Sequence, residues 1–219
     1  MDNGYESASK LSIDWNKQLP SNTLLHKYGG VPNNSITLPV CGNCHKRYHL
    51  LFQIDMKDNT LDYLDLKSQE IIYFISCLNC ATYEKPYYFI RRNNRIVILN
   101  ESPSKYVPEY PEILEEYPVS IKQLLANEYP ESKDGFYYTV PKKRGNHQLG
   151  GKPLWIQDAI HIPCITCNTE MSYLAMIDTE LHIGKNGFRE KGHMFGDNGI
   201  LYVFVCRRCG IFSSIAQGM

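Results

Sequence analysis

No sign of charge dominates this chain: 23 Lys and Arg residues face 23 Asp and Glu residues, for a formal net charge of zero. A protein that lives on nucleic-acid phosphates carries a basic excess, so strong nucleic-acid binding lacks its usual electrostatic support. Long apolar runs are missing too. The longest, Ile200 to Cys206, falls well short of the roughly 20 residues that a membrane-spanning helix needs. Residues 1–6 have neither the basic start nor the apolar stretch of a secretory signal, and the expectation is a cytoplasmic protein without membrane association. Catalytic fingerprints are absent as well: there is no Gly-x-Ser-x-Gly elbow, no phosphate loop and no dinucleotide-binding glycine motif.

What the chain does have is cysteine in a pattern. All eight cysteines fall into four Cys-x-x-Cys knuckles: Cys41/Cys44, Cys77/Cys80, Cys164/Cys167 and Cys206/Cys209. Thiols stay reduced in the cytoplasm, so disulfides do not explain them. A redox-active dithiol uses a single knuckle at a helix start, whereas Cys77 and Cys206 close strand-like segments. One Cys-x-x-Cys turn supplies two corners of a tetrahedron, and two turns close the site. The expectation is two structural zinc ions, with an iron–sulfur cluster as the alternative occupant of four thiolates. Between the knuckles lie 32 residues in the first set and 38 in the second. Each site therefore ties the ends of a small sheet rather than making a free-standing finger. Pairing within each set is expected, and a swapped pairing stays open.

The chain also repeats itself. A shift of 123 residues lays Cys41 and Cys44 on Cys164 and Cys167, and Leu50 to Asp55 on Tyr173 to Asp178. A shift of 121 lays His26-Lys27-Tyr28-Gly29-Gly30-Val31-Pro32 on His147 to Pro153, and a shift of 129 lays Ile72 to Cys77 on Leu201 to Cys206. Identical order with variable loops is the mark of duplication. The expected fold is α+β and β-rich: two tandem, similar antiparallel-sheet halves in a pseudo-two-fold relation, each with a four-cysteine zinc site. The expected divisions are an N-terminal extension (1–21), a first half (22–100), an acidic Pro- and Tyr-rich insert (101–140) and a second half (141–219).

Smaller features fill this frame. Tyr87 to Arg91 and Arg95 to Leu99 read as a hairpin across Arg92-Asn93-Asn94, since Asn tolerates the left-handed region. In the insert, Ser120 and Gln123 suggest a capping box after Pro118, with Ile121, Leu124 and Leu125 as the apolar face of a helix. His26 and His147 recur three residues before a Gly-Gly pair and read as donors that pin a turn; Asp55 and Asp178 read as strand-end turn residues. His45, His49, His161, His182 and His193 have no spacing that closes a metal site. Lys142-Lys143-Arg144 reads as a solvated basic loop.

The second half resembles the YwqG-like family. The resemblance rests on Gly150-Gly151-Lys152-Pro153-Leu154-Trp155, Met171-Ser172-Tyr173-Leu174, Gly196-Asp197-Asn198-Gly199 and the Tyr202-Val203-Phe204 strand, over about 70 residues. The first half keeps Gly29-Gly30-Val31-Pro32 but has no Gly-Asp-x-Gly before Ile72. The chain is also similar, more distantly, to the programmed-cell-death-2 family, with its Gly-Gly-x-Pro-x-Trp opening and Cys-x-x-Cys. The resemblance implies a β-rich protein of two similar halves that binds another protein, immunity- or chaperone-like, rather than a catalyst. The leading expectation is thus a non-catalytic zinc-stabilised module whose partner is a protein, basic if the acidic insert contacts it. The alternatives are a nucleic-acid-binding zinc-ribbon-like protein and an enzyme with a cleft between the halves.

Overall fold

The computed structural model describes residues 5–17, 26–33, 35–66, 69–80, 85–100, 110–125, 145–183, 189–195 and 199–218. In chain order the strands are β1 (Ala8–Ile13), β2 (Lys27–Tyr28), β3 (His49–Asp55), β4 (Ile71–Ser76), β5 (Tyr87–Arg92), β6 (Arg95–Asn100), β7 (Tyr117–Leu124), β8 (His147–Gly150), β9 (Ser172–Asp178), β10 (Glu180–Ile183), β11 (Arg189–His193), β12 (Ile200–Cys206) and β13 (Ile211–Gln217). Eleven of them form one sheet in the order β4-β3-β2-β7-β1-β8-β9-β12-β13-β5-β6, and β10 pairs with β11 separately. Every ladder is antiparallel. The only helical element among the described residues is a 3₁₀ turn, Asn59–Leu64, capped by the Asp58 side chain.

The sheet curls until its ends meet. The Tyr87 hydroxyl of β5 donates to the Ile75 carbonyl of β4, and the Tyr87 ring meets Tyr48 edge-on. On the far side, Thr37 bridges Arg95 of β6 in parallel. The large core lies inside this curl, where Leu50, Phe52, Ile54 and Phe74 meet Leu201, Val203, Val205 and Phe212. The alternate side chains of β12, Ile200, Tyr202 and Phe204, enter a second core with Leu154, Ile162 and Trp155. A strand covered on both faces reads as an unbroken apolar run, and Ile200 to Cys206 is one.

The chain crosses itself at the centre. β1 pairs with β7 along six residues, from Ala8 opposite Leu124 to Ile13 opposite Val119. β1 then pairs with β8, and β7 with β2. The stretch read as an N-terminal extension and part of the stretch read as an insert thus supply the middle strands. The helix expected at Ser120 to Leu125 is not formed: Tyr117–Leu124 is β7. Both edges of this segment find ladder partners, and tertiary pairing overrides a local capping signal. The hairpin at Arg92 to Arg95 does form, with Asn93 at φ 51°. Pro141 to Arg144 lies outside the described residues.

Candidate metal centres

Each four-cysteine group is assembled from one knuckle in a loop and one at the end of a strand. In the first loop knuckle the Cys41 N–H donates to Lys46 O at 2.8 Å and the His45 N–H donates to Cys41 O at 2.9 Å, with His45 at φ 57°. The second repeats this geometry: Cys164 N–H to Thr169 O at 2.8 Å, Asn168 N–H to Cys164 O at 2.9 Å, and Asn168 at φ 56°. The strand-end knuckles follow β4 and β12, where the Cys80 and Cys209 N–H groups donate to the carbonyls of Cys77 and Cys206.

Cys41, Cys44, Cys77 and Cys80 form one group and Cys164, Cys167, Cys206 and Cys209 the other, with the sulfurs of each group within 4.8 Å of one another. The open question of pairing is thereby answered in favour of pairing within each set. Cys44 and Cys77 stand 3.5 Å apart, Cys41 and Cys80 3.8 Å, and Cys167 and Cys206 3.6 Å. A disulfide would bring two sulfurs to about 2.05 Å. Four sulfurs at ~2.3 Å from a central ion lie about 3.8 Å apart at the corners of a tetrahedron. Both groups fit a metal ion.

The electrostatics point the same way. The Cys77 thiol is pushed far up by its hydrogen bond with Cys41 and by burial. Cys209 is pushed up to about 12, first by its hydrogen bond with Cys167, whereas Cys167 is lowered to about 6, first by the Thr169 hydroxyl. Thiols this crowded oppose one another's ionisation until a cation sits among them, and a bound divalent ion reverses the balance.

The first site has supports that the sequence did not signal. The Asn43 amide donates to Cys80 Sγ at 3.2 Å. His49 Nδ1 accepts the Leu78 N–H inside the knuckle at 3.3 Å, so the ring proton sits on Nε2 and donates to Pro111 O at 2.9 Å. Asn79 Oδ1 accepts the Tyr110 N–H, which brings the 110–111 segment down on the knuckle. The repeat pairs His49 with Ser172, so duplication gave no cue to its role.

Away from the cysteines, His26 and His147 act as pins, as read from their place before Gly-Gly. His26 Nδ1 accepts the Asp55 N–H at 3.2 Å, and its Nε2–H faces Asp58 Oδ2 at 3.0 Å. His147 Nδ1 accepts the Asp178 N–H at 3.2 Å, and its Nε2–H faces Glu180 Oε2 at 3.1 Å. Burial works against the charge on both carboxylates. Thr60 and His26 outweigh it at Asp58, and His147 and Trp15 at Glu180, so both groups lie below the usual range. Asp178 is the opposite case: burial raises it although the Asn146 N–H donates to it. His193 is fully buried, with Nε2–H donating to Asp178 O at 2.9 Å and Nδ1 accepting the Tyr28 hydroxyl at 3.2 Å. Burial, then the neighbouring His147, holds it far below the ordinary histidine value. His161 makes an exposed pair with Glu170. None of these histidines joins a cysteine group.

Among the described residues no helix is long and apolar enough to cross a membrane. No protein-family model matches this chain, and no curated protein matches it.

Proposed function

We propose that the chain is a non-catalytic, zinc-stabilised protein-binding module of the cytoplasm, built as two related halves. The observation that carries the reading of one ion per group is the sulfur spacing, and zinc is the ion that a redox-silent structural site takes. Four sulfurs within 4.8 Å suit one ion, whereas a multi-iron cluster spreads its cysteines around several metals. Four thiolates also fill a tetrahedral sphere and leave no position for substrate, which favours a structural role over zinc catalysis.

The reading of two halves draws on contacts that recur under the sequence shifts. The Lys27 Nζ donates to Val31 O, and the equivalent Gln148 Nε2 donates to Lys152 O. A Cβ at Gly29 would strike the Glu115 carbonyl, and one at Gly150 the Ser7 carbonyl. Lys10 faces Gln148 as Pro118 faces Lys27, while Lys10 also faces Lys122 and the Asp14 N–H donates to Pro118 O. A two-fold axis between Ser12 and Ser120 would exchange all of these pairs. In this reading the leading strand of each half is lent to the other, and β13, β5 and β6 have no counterpart in the sheet order. The likeness to YwqG-like proteins agrees with such a duplication and rests on the order of motifs alone.

For a partner surface, the cleft beside the first Gly-Gly turn is favoured. It encloses about 50 Å³, lined by Ile36, Leu38, Leu50 and Leu114, with Val31 and Ile113 at 53% and 47% exposure on its rim. Exposed apolar groups beside a pocket are what a protein interface presents. Val31→Asp and Ile113→Asp variants test this against wild type in pull-downs from the source organism. The reading expects the same protein to be captured by wild type and lost from both variants, with metal content and Tm unchanged. Capture that both variants retain would move the interface elsewhere.

A further inference from the structure

The two cysteine groups are alike in spacing and unlike in cover. In the first, Cys41, Cys77 and Cys80 are buried and only Cys44 is half-exposed. Its strand-end knuckle is sealed: Asn79 is buried, Leu78 is half-buried, and Tyr110 and Pro111 are bonded down on them through Asn79 and His49. In the second, Cys167 and Cys209 are both half-exposed, one from each knuckle. The residues inside those knuckles, Ile165, Thr166, Arg207 and Arg208, are all exposed. The Arg207 guanidinium leans over the Tyr5 ring, 4.9 Å from its centroid.

We propose that Cys167 and Cys209 form an oxidant-sensitive modification site, whose substrates are hydroperoxides and whose oxidation expels the second zinc ion. The inference rests on the zinc reading above. One thiolate attacks the peroxide: an S–O bond forms, the O–O bond breaks, and the leaving oxygen takes a proton, giving water from hydrogen peroxide. The second thiolate attacks the sulfenic sulfur, forming S–S, and the departing hydroxide is protonated to water. Two electrons pass from sulfur to peroxide, and two thiolates, one peroxide and two protons become a disulfide and two waters. The sulfurs stand within the 4.8 Å of the group, so the closing step needs only a local shift. Cys164 and Cys206, left alone, do not hold the ion. Because the Cys206–Cys209 turn joins β12 to β13, and β5 hangs on the β13 edge, metal loss loosens the end of the sheet that carries β5–β6.

The test uses the zinc-loaded full chain. Metal per chain is counted first, hydrogen peroxide is added in small excess, released zinc is followed with a chromogenic chelator, and the thiols are mapped by differential alkylation and mass spectrometry. The count before oxidant tests the zinc reading; the order of release tests this inference. The expected result is one zinc released about tenfold faster than the other, with a Cys167–Cys209 disulfide while Cys41, Cys44, Cys77 and Cys80 stay reduced. Release of both ions together, release from the first group ahead of the second, or no release while free thiol controls oxidise would each overturn it.

Discussion

Lys27 sits inside the fold with its ammonium on Val31 O, Asn33 Oδ1 and Glu116 Oε2, at 2.6, 2.9 and 2.6 Å. Two of the insert carboxylates are thus engaged within the chain: Glu116 on Lys27, and Glu115 on the Tyr117 hydroxyl. Tyr110 is likewise bonded to the Met194 backbone and Tyr117 is buried, while Tyr106 and Tyr129 lie outside the described residues. Lys27 is buried and Glu116 half-buried, so removing the carboxylate leaves the buried ammonium short of its counter-charge. Glu116→Gln is expected to lower unfolding stability by about 1–2 kcal/mol, read from urea denaturation. An unchanged midpoint would mean that Lys27 is satisfied without its carboxylate. Gly29 shows a different constraint. Its φ is +67° and an added Cβ would lie 2.1 Å from the Glu115 carbonyl, so Gly29→Ala forces the turn away from the segment that leads into β7.

β1 and β7 carry the weakest strand signal in the sequence. The strands β3, β4, β9 and β12 announced themselves by apolar, β-branched and aromatic runs, and β5–β6 by its Asn-Asn turn. The knuckles pointed to all eight cysteines that the fold gathers into two groups, since their spacing already pairs them. By contrast, Ala8–Ile13 buries only Ala8, Ser9 and Leu11, and β7 alternates weakly after Val119. Their strand character comes from neighbours distant in sequence, a cause that no local window contains. Since β1 stands between β7 and β8, its loss strips a ladder from both. A chain lacking residues 1–14 is expected to lose amide protection at Gln148 and Leu149 as well as at β7 in hydrogen exchange. If only β7 is affected, β8 is held by β9 alone.

At the level of the whole molecule, acid acts through groups spread over the fold. His193 stays neutral when buried, while in the unfolded chain it takes a proton below about pH 6.5. Its contribution is therefore complete above that value and is lost as pH falls toward its depressed folded value. Asp58 and Glu180 are depressed carboxylates, so their contribution is complete above about pH 4 and is lost as pH falls through their folded values. Tm in zinc-replete buffer is expected to fall between pH 7 and 5, and less steeply in a His193→Gln variant; equal slopes would remove His193 as a cause. Protons also compete with metal for the thiolates, so acid opens the cysteine groups in the same direction. Those groups pin the loop of each knuckle pair to its strand end, and the account stands on their holding metal. Native mass spectrometry of the intact folded chain, purified under reducing conditions and checked by elemental analysis, tests this most directly. The account predicts the mass of the chain plus two zinc ions and no visible absorbance; a folded chain carrying iron, one ion or none would contradict it.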